Sequence, residues 1–285
     1  MISLKEYLTE GILDVESKLD KDYIKTQIKD FIKENYKVKG RLKINLIKDI
    51  YIVDCNKRVE VKNKNIESLT DGLFEWGEVN EFFSCSYCNS LQSLEGAPKK
   101  VGGYFDCSYC NSLQSLKGAP EEVGEHFFCD HCPSLQSLEG APEKVDKSFY
   151  CIGCNSLQSF EGAPKKVDED FNCSYCHSLQ SLKGAPKEVG GDFDCSNCHS
   201  LISLEGAPKE VGGDFNCSYC KSLKSLKGAP KEVGKDFNCG YCASLKSLKG
   251  TPEEVGRDFI CKKCGEQFTA EDVKEVCKVK RSIQI

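Results

Sequence analysis

Paired cysteines are the residues of this chain that are best suited to chemistry. The sequence of 285 residues contains 20 cysteines, and eighteen of them form nine Cys-x-x-Cys pairs that begin every 22 residues, from Cys85 to Cys261. Thiolates at this spacing can ligate one metal ion, so zinc and iron–sulfur clusters are the first chemistry to consider. A tetrahedral zinc site would need sulfurs from two adjacent units, however, and nine pairs do not divide evenly into four-cysteine sites.

A structural role for the same thiols competes with metal binding. A phenylalanine stands two residues before each first cysteine, and this alternation is typical of a strand with one buried face. A buried neutral cysteine behaves as a small hydrophobic residue. We therefore favour structural thiols and assign no cofactor. The alternative is a metal-binding or redox protein, with a zinc site at Cys261-Lys-Lys-Cys264-Gly265, which resembles a zinc knuckle, completed by Cys239, Cys242 or Cys277.

Other side chains suggest neither catalysis nor nucleic-acid binding. The serines of the Ser-Leu-x-Ser segment recur in eight of the nine units, which favours hydrogen bonding in turns over a nucleophilic role. His177 and His199 occupy a variable position after the second cysteine and are expected at the surface. The 39 basic and 44 acidic residues are intermixed and give a net charge of -5, without the basic stripe that phosphates require. We expect no enzymatic activity.

The repeat period itself predicts the fold. The pattern Phe-x-Cys-x-x-Cys-x-Ser-Leu-x-Ser-Leu-x-Gly-Ala-Pro-x-x-Val recurs without insertion. A unit of 22 residues cannot bury its own apolar side chains, whereas stacked units form a continuous core. Proline ends each second apolar stretch because it lacks a backbone donor, and the valine three residues later points inward. We predict a β-rich solenoid of 22-residue coils with parallel, stacked short strands.

Residues 193–208, Phe-Asp-Cys-Ser-Asn-Cys-His-Ser-Leu-Ile-Ser-Leu-Glu-Gly-Ala-Pro, resemble a short bacterial leucine-rich repeat. The resemblance covers about two thirds of the chain and implies a solenoid of leucine-rich-repeat type. Cysteine stands where that family usually has its ladder asparagine, and one extra residue precedes the next leucine. Residues 203–215, Ser-Leu-Glu-Gly-Ala-Pro-Lys-Glu-Val-Gly-Gly-Asp-Phe, are also similar to repeat proteins of large tailed phages and gut metagenomes.

The chain divides into four predicted regions. Residues 1–58 form an N-terminal α/β capping region, 59–84 a degenerate first coil, 85–264 the nine-unit solenoid and 265–285 a C-terminal helical cap. In the N-terminal region, residues 3–36 have helical spacing, with an apolar stripe formed by Tyr23, Ile24, Ile28, Phe31 and Ile32, and a hairpin around Lys48-Asp49 follows. A capping box at Thr269–Asp272 begins the last helix, with Val273, Val276 and Cys277 on its inner face.

The segment Leu4-Lys-Glu-Tyr-Leu-Thr-Glu10, followed by Gly11, resembles the capsid-targeting peptides of internal head proteins in large tailed phages, which are cut after Leu-x-Glu. Here the cut would follow Glu10. This resemblance implies a second alternative function, a packaged phage head protein. We find no secretory signal and no apolar run long enough for a membrane span, so we expect a cytoplasmic protein that is in the host cytoplasm, or the virion, if phage-encoded.

Differences between the units indicate a binding surface. Outward positions of the third and fourth units carry His126, Phe128, His131, Tyr150 and Ile152, where most units have Asp, Asn, Ser or Tyr. Exposed apolar clusters on polar surfaces are typical of partner sites. Tyr109 and Tyr175 share one register with Tyr87, Tyr219 and Tyr241 and extend the candidate site. Aromatic contacts between coils that only stabilise the sheet are the alternative. We predict a monomeric scaffold that binds a protein of unknown identity.

Overall fold

Two twelve-stranded sheets extend along the chain in the computed structural model, which describes residues 18–48 and 50–285. Each coil contributes one strand to each sheet, and successive coils pair in parallel with a register of 22 residues through the repeats. The predicted solenoid is confirmed by this pairing. Residues 3–17 of the predicted N-terminal helical region and the candidate cut after Glu10 lie outside the described residues.

The first sheet, here called the phenylalanine sheet, contains the strand that carries each core phenylalanine. Its strands, in spatial order, are β1 (Tyr36–Lys39), β4 (Arg58–Val61), β6 (Phe83–Ser84), β8 (Phe105–Asp106), β10 (Phe127–Phe128), β12 (Phe149–Tyr150), β14 (Phe171–Asn172), β16 (Phe193–Asp194), β18 (Phe215–Asn216), β20 (Phe237–Asn238), β22 (Asp258–Ile260) and β24 (Ser282–Gln284). Only β1 is antiparallel to its neighbour among these described strands.

The second sheet, here called the valine sheet, contains the valine that follows each Gly-Ala-Pro or Gly-Thr-Pro turn. Its strands are β2 (Leu42–Ile47), β3 (Ile50–Cys55), β5 (Glu75–Val79), β7 (Lys100–Val101), β9 (Glu122–Val123), β11 (Lys144–Val145), β13 (Lys166–Val167), β15 (Glu188–Val189), β17 (Glu210–Val211), β19 (Glu232–Val233), β21 (Glu254–Val255) and β23 (Lys278–Val279). The sequence predicts inward-facing valines but not that they form a second continuous sheet.

The core lies between the two sheets and repeats the same contacts in every coil. Each core phenylalanine is fully buried and faces the equivalent ring of the next coil; the ring centroids of Phe171, Phe193 and Phe215 are 5.3 and 5.2 Å apart. The first cysteines and the repeat leucines fill the space beside these rings. The prediction that phenylalanine, cysteine and valine point inward is confirmed. The alternation that turns Phe105 and Cys107 inward also places Ser108 on the solvent face, but Ser108 is buried.

The N-terminal region closes one end of the core. Helix α1 (Lys18–Asn35) buries Ile24, Ile28 and Ile32. Tyr23 is 49% exposed, so its assignment to the apolar stripe is wrong. The predicted hairpin is confirmed, since β2 and β3 pair antiparallel from Leu42↔Cys55 to Ile47↔Ile50. Both β3 and β4 pair in parallel with the next strand of their sheet, so coil stacking begins before the first Cys-x-x-Cys unit.

The C-terminal region closes the other end with a short helix, α2 (Ala270–Lys274). The predicted capping box is present: the Asp272 N–H donates to Thr269 Oγ1, and the Thr269 N–H donates to the Asp272 carboxylate. Val273 and Cys277 are buried, but Val276 is 48% exposed, so its assignment to the inner face is wrong. The chain then returns to both sheets as β23 and β24.

Among residues 18–48 and 50–285, no helix combines the length and the apolar character needed to cross a membrane.

Candidate binding surface and thiol cluster

The two positions that flank each core phenylalanine change character along the phenylalanine sheet. The position before it holds, from the first unit to the ninth, Phe82, Tyr104, His126, Ser148, Asp170, Asp192, Asp214, Asp236 and Asp258. The position after it holds Ser84, Asp106, Phe128, Tyr150, Asn172, Asp194, Asn216, Asn238 and Ile260. Aromatic side chains are therefore concentrated in the first four units, and acidic side chains in the later ones.

Five of these aromatic side chains contact one another and are here called the aromatic patch: Phe82, Tyr104, His126, Phe128 and Tyr150. Phe82 stacks on Tyr104 with centroids 4.6 Å apart, and Phe128 stacks on Tyr150 at 5.2 Å. Tyr104 meets Phe128 edge-on at 6.0 Å, which joins the two pairs. The His126 ring lies 5.7 Å from Phe128 and 6.3 Å from Tyr150. The patch thus spans four successive coils.

Three of the predicted site residues belong to this patch, namely His126, Phe128 and Tyr150. All three are half-buried, not freely exposed as the sequence predicts, because their rings cover one another. Phe82 and Tyr104 were not predicted. The signal that identifies them is their register with His126, since all three precede a core phenylalanine.

Tyr109 and His131 belong to a second aromatic column, on the turn between the two cysteines. The rings of Tyr87, Tyr109 and His131 stack at 4.6 and 4.8 Å. The column ends at Gly153, where an added Cβ would lie 2.6 Å from the His131 ring. Tyr175 therefore lies beyond this interruption, packed edge-on against His177. The predicted common register is confirmed, but Tyr175 is not in contact with the rest.

The turn position of this column has a backbone conformation that the sequence did not reveal. Tyr87, Tyr109, Tyr175, Tyr219 and Tyr241 all have φ between 58° and 61°, in the left-handed region. Such a conformation costs a bulky residue about 1–2 kcal/mol relative to the right-handed region. The Tyr109 N–H nevertheless donates to the Asp130 carbonyl of the next coil at 2.8 Å, so the turn extends the pairing of the phenylalanine sheet.

Ile152 and Asp130 link the third and fourth coils beside the aromatic patch. The Ile152 N–H donates to Asp130 Oδ1 at 2.8 Å, and the Ile152 carbonyl accepts from the His131 N–H. The Ile152 side chain is half-buried. Burial raises the pKa of Asp130 to about 6, although the Ile152 N–H opposes the shift. The ionised carboxylate therefore destabilises the fold at neutral pH.

Replacing Asp130 with asparagine is expected to stabilise the protein at pH 7 by about 2–3 kcal/mol, since the shift of its pKa sets the free-energy difference. Asparagine keeps an oxygen that accepts from Ile152. The pKa of Asp130 is higher in the folded than in the unfolded protein. The loss of stability caused by its ionised carboxylate is therefore complete above pH 6 and absent below about pH 4. Urea unfolding of parent and Asp130→Asn at pH 7 and pH 4 measures the effect. An equal difference in unfolding free energy between the two proteins at pH 7 and pH 4 would contradict the raised pKa of Asp130.

The second cysteine of each pair makes the same hydrogen bond in eight consecutive coils. Its thiol donates to the carbonyl of the first cysteine in the preceding coil, over 3.1–3.3 Å, from Cys110 on Cys85 to Cys264 on Cys239. The thiols of some first cysteines donate to a carbonyl of the following coil, as Cys173 does to the Asp194 carbonyl at 3.2 Å. Burial raises the pKa of Cys173 well above that of an ordinary thiol. Such thiols act as neutral donors inside the coil.

Three thiols of the last two units form a cluster. The sulfurs of Cys239, Cys261 and Cys264 all lie within 4.8 Å of one another, and those of Cys261 and Cys264 are 2.6 Å apart. Hydrogen bonds from the thiols of Cys239 and Cys261 lower the pKa of Cys264. Cys242, one of the residues expected to complete the alternative zinc site, lies outside the cluster, and its thiol donates to the Cys217 carbonyl at 3.2 Å. Cys277 is also outside it.

A groove of about 1160 Å³ runs along the valine sheet and was not predicted. Glycines form part of its floor, because the carbonyl of the preceding coil leaves no room for a side chain; an added Cβ at Gly212 would lie 2.1 Å from the Gly190 oxygen. One row of the lining is acidic and in register: Glu188, Glu210, Glu232 and Glu254. The recurring Glu-Val dipeptide is the sequence signal for this row.

Comparison with known proteins adds one likeness. No protein-family model matches the chain, and no curated protein matches it significantly. Among solved structures, it is similar to the crystal structure of a leucine-rich repeat protein from Bacteroides ovatus ATCC 8483, with 12% sequence identity and a TM-score of 0.22. The alignment covers 87% of this chain and 100% of that chain. The solenoid described above therefore rests on the strand pairing of this chain itself.

Proposed function

We propose that this chain is a non-enzymatic repeat scaffold that binds another protein through the aromatic patch of the phenylalanine sheet. The observation that carries the proposal is the uneven use of equivalent positions. The first four units place five touching aromatic rings there, whereas the later units, apart from Ile260 in the last, place carboxylates and amides at the same positions.

Stability of the solenoid does not require aromatic rings at these positions. In the later coils, the carboxylate before each core phenylalanine accepts the amide of the next coil, as Asp170 Oδ1 does from the Asp192 N–H at 2.8 Å. The same link is made by Asp192 with Asp214 and by Asp214 with Asp236. Because the sheet continues equally well with these polar side chains, the aromatic rings of the first units are available for another role.

The chemistry of the patch suits a protein partner. Tyrosine and other large side chains dominate the binding energy of protein interfaces when they are held in clusters. Here each ring packs against a ring of a neighbouring coil, which lowers the conformational entropy lost on binding. Arg58 lies over the Phe82 ring at 5.5 Å and adds a cation at one end of the patch.

A binding role also accounts better than catalysis for the histidines. His126 packs in the aromatic patch, His131 stacks on Tyr109, and His177 stacks on His199 at 4.6 Å. All four rings contact other rings, an arrangement that favours packing and recognition. We expect a monomer, since α1 and the segment containing α2 close the two ends of the core.

A capture experiment with a double variant tests the proposal. Immobilised parent protein, Phe128→Ala/Tyr150→Ala and Tyr219→Ala/Tyr241→Ala are incubated with lysate from the source cells, and bound proteins are quantified by mass spectrometry. The control pair is matched because Tyr219 and Tyr241 also stack, at 4.5 Å, but lie in later coils. We expect at least a tenfold lower partner recovery with the first variant only, as loss of two interface anchors implies. Equal recovery by all three proteins would contradict the proposal.

A further inference from the structure

We infer that the last two units bind one zinc ion through Cys239, Cys261 and Cys264, with a fourth coordination position open to an exogenous ligand. This site is separate from the proposed partner surface, which lies in the first four units. It also differs from a metal ladder along all nine pairs, because the described residues contain this one group of three or more clustered ligands.

The distances fit a thiolate site after a small adjustment. Zinc–sulfur bonds of about 2.3 Å place the sulfurs of a tetrahedral site about 3.8 Å apart. All three sulfurs already lie within 4.8 Å of one another, and the 2.6 Å between Cys261 and Cys264 must lengthen by roughly 1 Å. Cys264 can move because no further Cys-x-x-Cys unit is stacked on it.

The last coil differs from the interior coils in the partner of its first thiol. In the preceding coil, the Cys239 thiol donates to the Ile260 carbonyl at 3.5 Å. The Cys261 thiol instead lies against the Cys264 sulfur. Equivalent repeat positions, such as Cys173, Cys195 and Cys198, do not form a comparable cluster. The end of the repeat array is therefore what brings three sulfurs together.

The solvent accessibility of Cys264 and the charges around it also favour metal binding at this cluster. Cys264 is half-buried, whereas the other nineteen cysteines are buried, so a metal ion can reach the cluster from solvent. Three thiolates and Zn²⁺ leave one net negative charge, and the exposed Lys262 and Lys263 flank the site. Binding releases the thiol protons to solvent, without any redox step. Since Cys242 and Cys277 lie outside the cluster, the fourth ligand is water or an added donor.

Metal loading of the full chain tests the site. Reduced, anaerobic parent protein, Cys264→Ser and Cys198→Ser are each equilibrated with Zn²⁺ or Co²⁺ and freed of excess metal. Elemental analysis gives the metal content, and thiolate-to-cobalt absorption reports sulfur ligation. The Cys198→Ser control is matched because Cys198 has the same repeat position and donates to the Cys173 carbonyl at 3.3 Å, as Cys264 does to Cys239. Circular dichroism confirms that both variants are folded.

We expect one metal equivalent with cobalt–thiolate absorption in the parent and in Cys198→Ser, and at least a tenfold weaker affinity in Cys264→Ser. Bound zinc should also protect Cys264 from alkylation. The inference is overturned by absence of a bound equivalent, by equal binding to Cys264→Ser, by several equivalents per chain, or by a Cys261–Cys264 disulfide that survives the reducing treatment. None of these results bears on partner capture by the aromatic patch.

Discussion

Phe193→Ala is expected to lower the free energy of unfolding by about 3–5 kcal/mol, the usual cost of truncating a fully buried phenylalanine. Phe193 is completely buried and stacks on Phe171 and Phe215, so its loss opens a cavity shared by three coils. Neighbouring coils cannot collapse into this cavity without breaking the register of both sheets. The effect should therefore be near the upper end of the range for large-to-small substitutions.

Urea unfolding followed by circular dichroism and by the fluorescence of the single tryptophan measures this loss. Trp76 lies in the first coil and is fully buried, so its signal reports a region distant from the substitution. Coupled coils should shift both signals together. Ile202→Ala, in the same unit, is the control, because Ile202 is 51% exposed and its truncation should change stability by less than about 0.5 kcal/mol. Equal midpoints for the two variants would refute the stacked core.

Gly206→Ala should cost about 2–4 kcal/mol, because it combines backbone strain with a steric clash. Gly206 has a φ of 97°, a conformation that residues with a side chain rarely adopt. An added Cβ would also lie 2.5 Å from the Leu182 carbonyl oxygen of the preceding coil. Relief would require the two turns to move apart, which separates the coils that the sheets hold together.

A second glycine provides the matched control for this substitution. Gly240 has no left-handed φ, and an added Cβ would meet its nearest neighbour at 3.2 Å. Other units have serine at the same position, such as Ser174 and Ser218, so the fold accommodates a Cβ there. Gly240→Ala should unfold within about 0.5 kcal/mol of the parent. A similar loss for both alanine variants would show that the turn geometry of Gly206 is not the cause.

The repeat period predicts which residues form the core because their spacing determines which side chains must be buried. A phenylalanine and a cysteine separated by one residue must share a face, and a recurrence of 22 residues requires that each pair be covered by the next. The structure buries Phe193 and Cys195 together accordingly. The valine sheet was missed because its repeat strands contain two residues, such as Glu210–Val211, which is too short to show an alternation.

Side-chain arrangements were harder to predict than the coil. Differences between units identified His126, Phe128 and Tyr150, but their mutual stacking depends on rotamers that the sequence does not specify. The left-handed turn at Tyr109 carries no sequence signal, because tyrosine is uncommon in that conformation. The alternative zinc site joined Cys261 and Cys264 to Cys239, Cys242 or Cys277, and of these three the structure brings Cys239 into the cluster.

Surface ion pairs contribute little to the stability of the fold. Many ion pairs join neighbouring coils, for example Lys100 with Glu122 at 2.9 Å and Lys165 with Glu143 at 2.8 Å. Both pairs are largely exposed, and such pairs typically contribute about 0–1 kcal/mol each. Stability therefore resides in the phenylalanine, cysteine, leucine and valine columns between the two sheets.

Counting reactive thiols in the native protein tests the central claim directly, namely that the cysteines line the inside of a continuous solenoid. The reduced, metal-free chain is mixed with a thiol reagent under native conditions and again in strong denaturant. We predict one rapidly reacting thiol in the native protein, Cys264, and all 20 only after unfolding. Rapid reaction of most thiols in the native protein would place the sulfurs in solvent and contradict the stacked, two-sheet architecture.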